Sequence, residues 1–357
     1  MHTKAIKRME SFRVRNASPD HQRKLLLALS CGVSSVTLLH ILDCQLKTQI
    51  SKTGRTGFGL EILCVDTSAV EPAASQVTCF SKAQEMFSNF NFVSLQLHDL
   101  FTITPNDASL MRLAPSTDAE TSTPAQKLAR LMASLTTATA RADVVSTLTT
   151  RLIVEHAKST GCEGILWGDS TTRLAEKTLS ETAKGRGFSL PWQVADGESP
   201  LGLTFNYPLR DILKKELVSY VSLVENSLSS LVCDSSAATQ ASMSSKNTTI
   251  DDLMKQYFES VEENFPSIVS NVVRTTGKLN ASATAASALR CDLCSMPVAD
   301  GHFGVHGWGG DQQDGMHIAA TQDAPKLCYG CTRSIPKPAA GVVTQLAQNG
   351  NGPQHSG

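Results

Sequence analysis

Two pairs of cysteines carry the most specific chemical signal in the chain: Cys291-Asp292-Leu293-Cys294 and Cys328-Tyr329-Gly330-Cys331. Each Cys-x-x-Cys knuckle offers two thiolates from one tight turn, and the intervening loop can swing the second pair round the same ion. Four thiolates complete a tetrahedral shell, so the expected occupant is a structural zinc; a redox or sulfur-handling dithiol is the other reading. With that shell complete, His302, His306 and His317 read as loop residues rather than ligands. Cys31, Cys44, Cys64, Cys79, Cys162 and Cys233 lack ligand spacing and read as buried or incidental thiols.

A different chemistry is written into Leu25 to Ser35. The apolar run Leu25–Leu29 is too short and too aliphatic for an amphipathic helix and reads as a buried parallel strand. It ends in Ser30-Cys31-Gly32-Val33-Ser34-Ser35, after which a helix pattern begins. Gly32 allows a tight turn, and Ser34 or Ser35 is expected to cap the helix. Such a corner aims free backbone N–H groups and a helix N-terminus at one spot, a site suited to phosphate. A capped strand-to-helix turn of any α/β domain is the plainer alternative. Leu60–Asp66 reads as a second strand, placing Asp66 where a strand's carboxyl end meets a cleft, or as a helix cap.

The elements that must position these residues follow in order. Ala73–Phe87 reads as a helix, Phe92–Leu97 as a third strand, and Ala125–His156 as one long helix with a buried face. Gly164–Gly168 is a further buried strand opening into Asp169-Ser170-Thr171-Thr172-Arg173, and Ile212–Val224 is an amphipathic helix. The alternation implies an α/β fold, a doubly wound parallel sheet. The expected organisation is a basic N-terminal arm over 1–24 and an α/β domain over 25–225. A Ser/Thr/Ala-rich disordered insertion follows over 226–249, then a helical segment and linker over 250–290. The paired-knuckle, zinc-ribbon-like module spans 291–333, and 334–357 is a disordered tail. The loops after Leu29 and after Trp167 are expected at the same, carboxyl edge of the sheet.

Composition narrows the partners. Hydrophobic residues make up 41% and charged residues 18%, enough for a sizeable core. The formal net charge of −1 excludes a chain basic throughout, so any nucleic-acid contact must come from a local patch. The N-terminal arm (Lys4, Lys7, Arg8, Arg13, Arg15, Arg23, Lys24) is one such patch, or a solvated, frayed terminus. No stretch approaches the length of a membrane span, and Met1–Glu10 lacks the apolar region of a secretory signal. Ten cysteines in such a cytoplasmic-looking chain point to thiols or metal rather than disulfides.

Four segments, LLLALSCGVSS, GILWGDSTTRLAEKTLSETAKGRGFSLPW, YPLRDILKKEL and the paired knuckles, together resemble the degenerate tRNA-thiolation branch of the PP-loop ATP pyrophosphatase superfamily. The resemblance runs from about Leu25 to Cys331 and implies an adenine nucleotide alpha hydrolase-like sheet. It further implies a non-catalytic subunit that forms a heterodimer with a catalytic PP-loop paralogue. Together the pair would place sulfur on C2 of the wobble uridine of lysine, glutamine and glutamate tRNAs, drawing it from a thiocarboxylated ubiquitin-like carrier. The nucleotide site it implies, in vestigial form, comprises Ser30, Gly32, Ser34, Ser35, Asp66 and Gly168. An active loop reads S-G-G-x-D-S; here Cys31 replaces a glycine and Ser34 the aspartate, while Thr172 and Arg173 stand where catalytic relatives carry two aspartates. ATP activation needs Mg²⁺ held by carboxylates, and these substitutions remove the obvious ones. Two other functions stay open: an adenylating sulfurtransferase using Asp66 or Glu176 for metal, and a zinc-ribbon scaffold for conjugating the ubiquitin-like carrier to proteins.

Overall fold

The computed structural model describes residues 1–16, 22–71, 74–105, 107–113, 122–224, 228–233, 248–280, 289–298, 303–304 and 325–335. Strands β1 (Lys24–Ala28), β2 (Gly59–Asp66), β3 (Asn91–Gln96), β4 (Gly164–Trp167), β5 (Gly197–Glu198) and β6 (Thr204–Asn206) form one sheet in the order β3-β2-β1-β4-β6-β5. All pairs are parallel except β5–β6, an antiparallel edge. β1 is central and its Leu25, Leu26 and Leu27 are fully buried, which is why it reads as an unbroken apolar run.

Helices cover both faces. Residues of α1 (His2–Arg8), α2 (Val33–Thr53), α3 (Ala74–Met86) and α10 (Lys214–Leu223) build the core on one side. The other side is built by α4 (Leu100–Ile103), α5 (Ala108–Leu113), α6 (Pro124–Ala133), α7 (Ala138–Ser159), α8 (Thr171–Ala183), α9 (Leu190–Gln193), α11 (Ile250–Asn264) and α12 (Pro266–Thr276). The chain winds outward from β1 through β2 and β3, then crosses to β4 on β1's other flank. The reversal makes the β1/β4 boundary the topological switch point, where a cleft opens at the carboxyl ends of the strands. The knuckle segment adds a short hairpin, β7 (Leu289–Arg290) and β8 (Pro297–Val298), and helix α13 (Tyr329–Ser334).

Several expectations need correction. The helix expected over 125–156 is two, because Thr137 accepts a hydrogen bond from the Ala140 N–H and starts α7 as a fresh helix after the break at Ser134. The basic arm is not a frayed terminus in its described part: Ala5, Met9 and Phe12 are buried against the sheet, and Arg8 pairs with Asp196 and Asp211. Within the expected insertion, Leu228–Leu231 is a 3₁₀ turn with both leucines buried, while 234–247 lies outside the described residues. The tail from 336, and His302, His306 and His317, also lie outside them.

Candidate nucleotide cleft and four-thiol centre

β1 and β4 are neighbours in register, Ala28 opposite Trp167, so their loops leave the sheet at the same carboxyl edge. They touch there. A Cβ on Gly168 would lie 2.7 Å from the Ser35 Cα and 3.0 Å from its nitrogen, so only glycine permits this approach. Gly32 is the N-cap of α2, with no side chain capping it; Ser34 and Ser35 do not take that role. Ser35 Oγ instead donates to the Gly32 carbonyl at 3.1 Å and lies 3.2 Å from Ser30 Oγ, folding the loop on itself. Cys31 sits at φ 58°, in the left-handed region where a side chain costs roughly 1–2 kcal/mol. Cysteine thus holds here a backbone shape that glycine adopts without that cost. Cys31 is fully buried, and hydrogen bonding to Cys64 together with burial keeps its thiol protonated.

The acidic candidates are occupied. Asp66 ends β2 at the carboxyl edge, but one oxygen accepts the Ser68 N–H at 2.8 Å and the other Gln96 Nε2 at 2.7 Å. Glu176 is buried, which raises its carboxyl above the ordinary range despite Arg173 at 2.9 Å. Thr172 is fully buried, donates to Glu262 of α11 at 2.7 Å and accepts the Lys214 N–H at 3.0 Å. Glu262 in turn accepts the Lys215 N–H at 2.9 Å. This position ties α8, α10 and α11 together. Sequence reasoning missed Glu262, because its partner lies 90 residues away.

The four knuckle cysteines converge, all buried, with their sulfurs within 4.8 Å of one another. The Cys294 and Cys328 sulfurs are 3.9 Å apart, against about 3.8 Å for one edge of a tetrahedron with metal–sulfur bonds near 2.3 Å. The Cys328 N–H donates to Cys291 Sγ at 3.2 Å. Neighbouring thiols, Cys294 first, hold Cys291 well below the ordinary thiol range. The knuckles are bound together by Asp292, whose N–H donates to the Lys326 carbonyl at 2.8 Å and whose carboxylate accepts the Lys326 N–H at 2.7 Å. Such a donor set fits a thiophilic ion.

Two buried arginines anchor this centre to the α/β core, one for each knuckle. Arg151 of α7 donates to the carbonyls of Asp292 and Leu293, at 2.6 and 3.1 Å. Arg186, in the turn after α8, grips Glu181 and Asp143 and lies 3.9 Å from Cys331 Sγ. Lys184 completes the cluster, 2.9 Å from Glu181 and 3.2 Å from Asp143. Burial opposes ionisation of both acids, yet Arg186 and Lys184 hold them below the ordinary carboxylate range. A Cβ on Gly185 would strike the Tyr329 ring, and one on Gly330 the Arg186 side chain. The Gly185-Arg186 turn is therefore the seat of the second knuckle, a role its sequence does not announce.

Comparison with known proteins agrees with this geometry. The family model described as Cytoplasmic tRNA 2-thiolation protein 2 matches residues 249–308. Curated relatives bearing that name include one from Phaeosphaeria nodorum, 64% identical over 97% of this chain and 90% of the relative. Another, from Sclerotinia sclerotiorum, is 46% identical over 82% of this chain and 78% of the relative. Among solved structures, U34-tRNA thiolase NcsA from Methanococcus maripaludis with its [4Fe-4S] cluster shares the fold. Its TM-score is 0.52 at 13% identity, over 82% of this chain and 86% of that one. The sheet order, the switch-point loops and this degree of identity together make the chain a member of the cytoplasmic tRNA 2-thiolation protein 2 family.

Proposed function

We propose that this chain is the non-catalytic subunit of a cytosolic tRNA thiolase. In this reading it works in a heterodimer with a catalytic PP-loop paralogue. The pair installs sulfur on C2 of the wobble uridine of lysine, glutamine and glutamate tRNAs, taken from a thiocarboxylated ubiquitin-like carrier. The tRNA role is supported by the 64% identity to a relative of that name.

The observation that carries the non-catalytic part is the state of the two switch-point loops. Ser34 stands in the first, and Thr172 in the second is committed to Glu262. Of the remaining acids considered for Mg²⁺, Asp66 accepts the Ser68 N–H and Gln96 on its two oxygens, and Glu176 is buried and paired through one oxygen with Arg173. The α2 N-terminus still presents backbone N–H groups that could rest against phosphate. Neutralising charge on a departing pyrophosphate needs more than that, namely a metal held by carboxylates.

Cys291, Cys294, Cys328 and Cys331 would hold zinc, which supplies folding energy to the knuckle segment rather than reaction chemistry. Arg151 and Arg186 then fix that segment against α7 and α8. Among the described residues no helix is long and apolar enough to cross a membrane, in keeping with action on cytoplasmic tRNA.

Deleting the gene and measuring 2-thiouridine in tRNA by mass spectrometry tests the reading. Loss of the modification, restored by the wild-type chain and also by Cys162→Ser, is expected. Unchanged 2-thiouridine would refute it.

A further inference from the structure

We propose that a polar cleft at the carboxyl edge of the sheet, beside the start of α8, binds the phosphate backbone of tRNA, with Arg274 and Lys278 as its contacts. The proposal rests on the tRNA reading above and assigns it a surface. The cleft has a volume of about 520 Å³ and is lined by Arg8, Arg210, Arg274, Lys278, Asp196 and Asp211, among others.

Four of these charges form a neutral, ordered floor. Arg8 donates to Asp211 at 2.8 Å and to Asp196 at 3.0 Å. Arg210 is buried and donates to the carbonyls of Val194 and Val273. Arg274 and Lys278 remain. Both are exposed, and neither has an ion-pair partner among the described residues. Arg274 stands in the last turn of α12 and Lys278 two residues past its end, and both line the cleft. The cleft therefore carries a surplus of two positive charges in a chain whose net charge is −1. Cations at a helix C-terminus offset its dipole, but that alone does not place both on a concave wall whose own charges are already paired.

Position and lining point to RNA. Thr171 lines the cleft and follows the cap Ser170, two residues after Gly168, which packs on Ser35. The groove thus continues the edge that carries the degenerate loop. Its apolar lining is only Ala195 and Val273, too little to grip the side chains of an acidic peptide. Charge must supply the affinity, as it does for a nucleic-acid backbone.

The test uses the full chain with its paralogue and an unmodified lysine tRNA transcript, with affinity measured by fluorescence anisotropy across a salt series. Arg274→Gln/Lys278→Gln is compared with Lys52→Gln/Arg55→Gln, which removes two exposed cations at the far end of α2, on the opposite edge. Two single-strand-type phosphate contacts should lower the salt slope by about 1.4, or about 25-fold in affinity at 0.1 M salt relative to 1 M. The control pair should bind like wild type. Equal behaviour of the two double variants overturns the proposal, as does a loss confined to binding of the ubiquitin-like carrier. The tRNA reading fails separately, if cellular 2-thiouridine does not depend on the chain at all.

Discussion

Arg186→Met probes the link between the thiol centre and the sheet. The guanidinium is 2% exposed and donates to Glu181 at 2.6 and 3.1 Å, and twice to Asp143, once at 2.8 Å. Methionine fills similar space but leaves the two buried carboxylates with Lys184 as the cation between them and, on Asp143, the Ser334 hydroxyl. Removing one partner of a buried ion pair costs about 3–5 kcal/mol. Because Lys184 remains, 2.9 Å from Glu181, the lower figure of about 3 kcal/mol applies. With an unfolding entropy of about 2.1 cal/mol/K per residue, a chain of 357 residues then loses roughly 4 °C in Tm. Arg186→Lys keeps the charge but loses the fork, so it should recover only part of the difference. Adding Glu181→Met to Arg186→Met should restore stability over the single variant, since one orphaned carboxylate is gone. The assay pairs thermal melting with zinc release to a chromophoric chelator, which should quicken in step. An Arg186→Met protein with unchanged Tm and unchanged release would refute the reasoning.

Other outcomes follow from the same geometry. Gly168→Ala forces a methyl against the Ser35 backbone and should destabilise by about 1–3 kcal/mol in urea titration. Thr172→Val leaves Glu262 and the Lys214 N–H without their shared hydroxyl, for a loss of about 1–3 kcal/mol in the same measurement. Asp143 and Glu181 ionise below the ordinary carboxylate range in the folded chain. Their stabilisation is therefore complete above the unfolded pKa of about 4 and is lost as pH falls through the lower folded values. Limited proteolysis between pH 5 and 2 should release the knuckle segment, and Asp143→Asn should flatten that dependence.

Much of the fold is legible in the sequence because its signals are local. Leu25–Ala28 and Ile62–Val65 read as strands since both faces of a central parallel strand are buried. The loops after β1 and β4 follow from those strands, and their shared edge follows from parallel pairing. Spacing within each knuckle likewise announces four converging sulfurs. What stayed hidden depends on distant partners or on competing signals. Apolar spacing continues across Ser134–Thr137, so it masks the break that Thr137 makes by capping α7. The basic residues of the first segment obscure Ala5, Met9 and Phe12, which are what dock it. Arg186 meets Asp143 and Cys331 across 43 and 145 residues, and no periodicity encodes such contacts.

The central claim is that this chain is required for thiolation but does not perform it. Thiolation by the reconstituted pair, with the catalytic residues disabled in the paralogue alone, tests that most directly. The account predicts no 2-thiouridine in the tRNA, and none regained when Ser34→Asp is introduced here, because Thr172 and Arg173 still occupy the second loop. Sulfur reaching the wobble uridine under these conditions would place the chemistry in this chain and contradict the account.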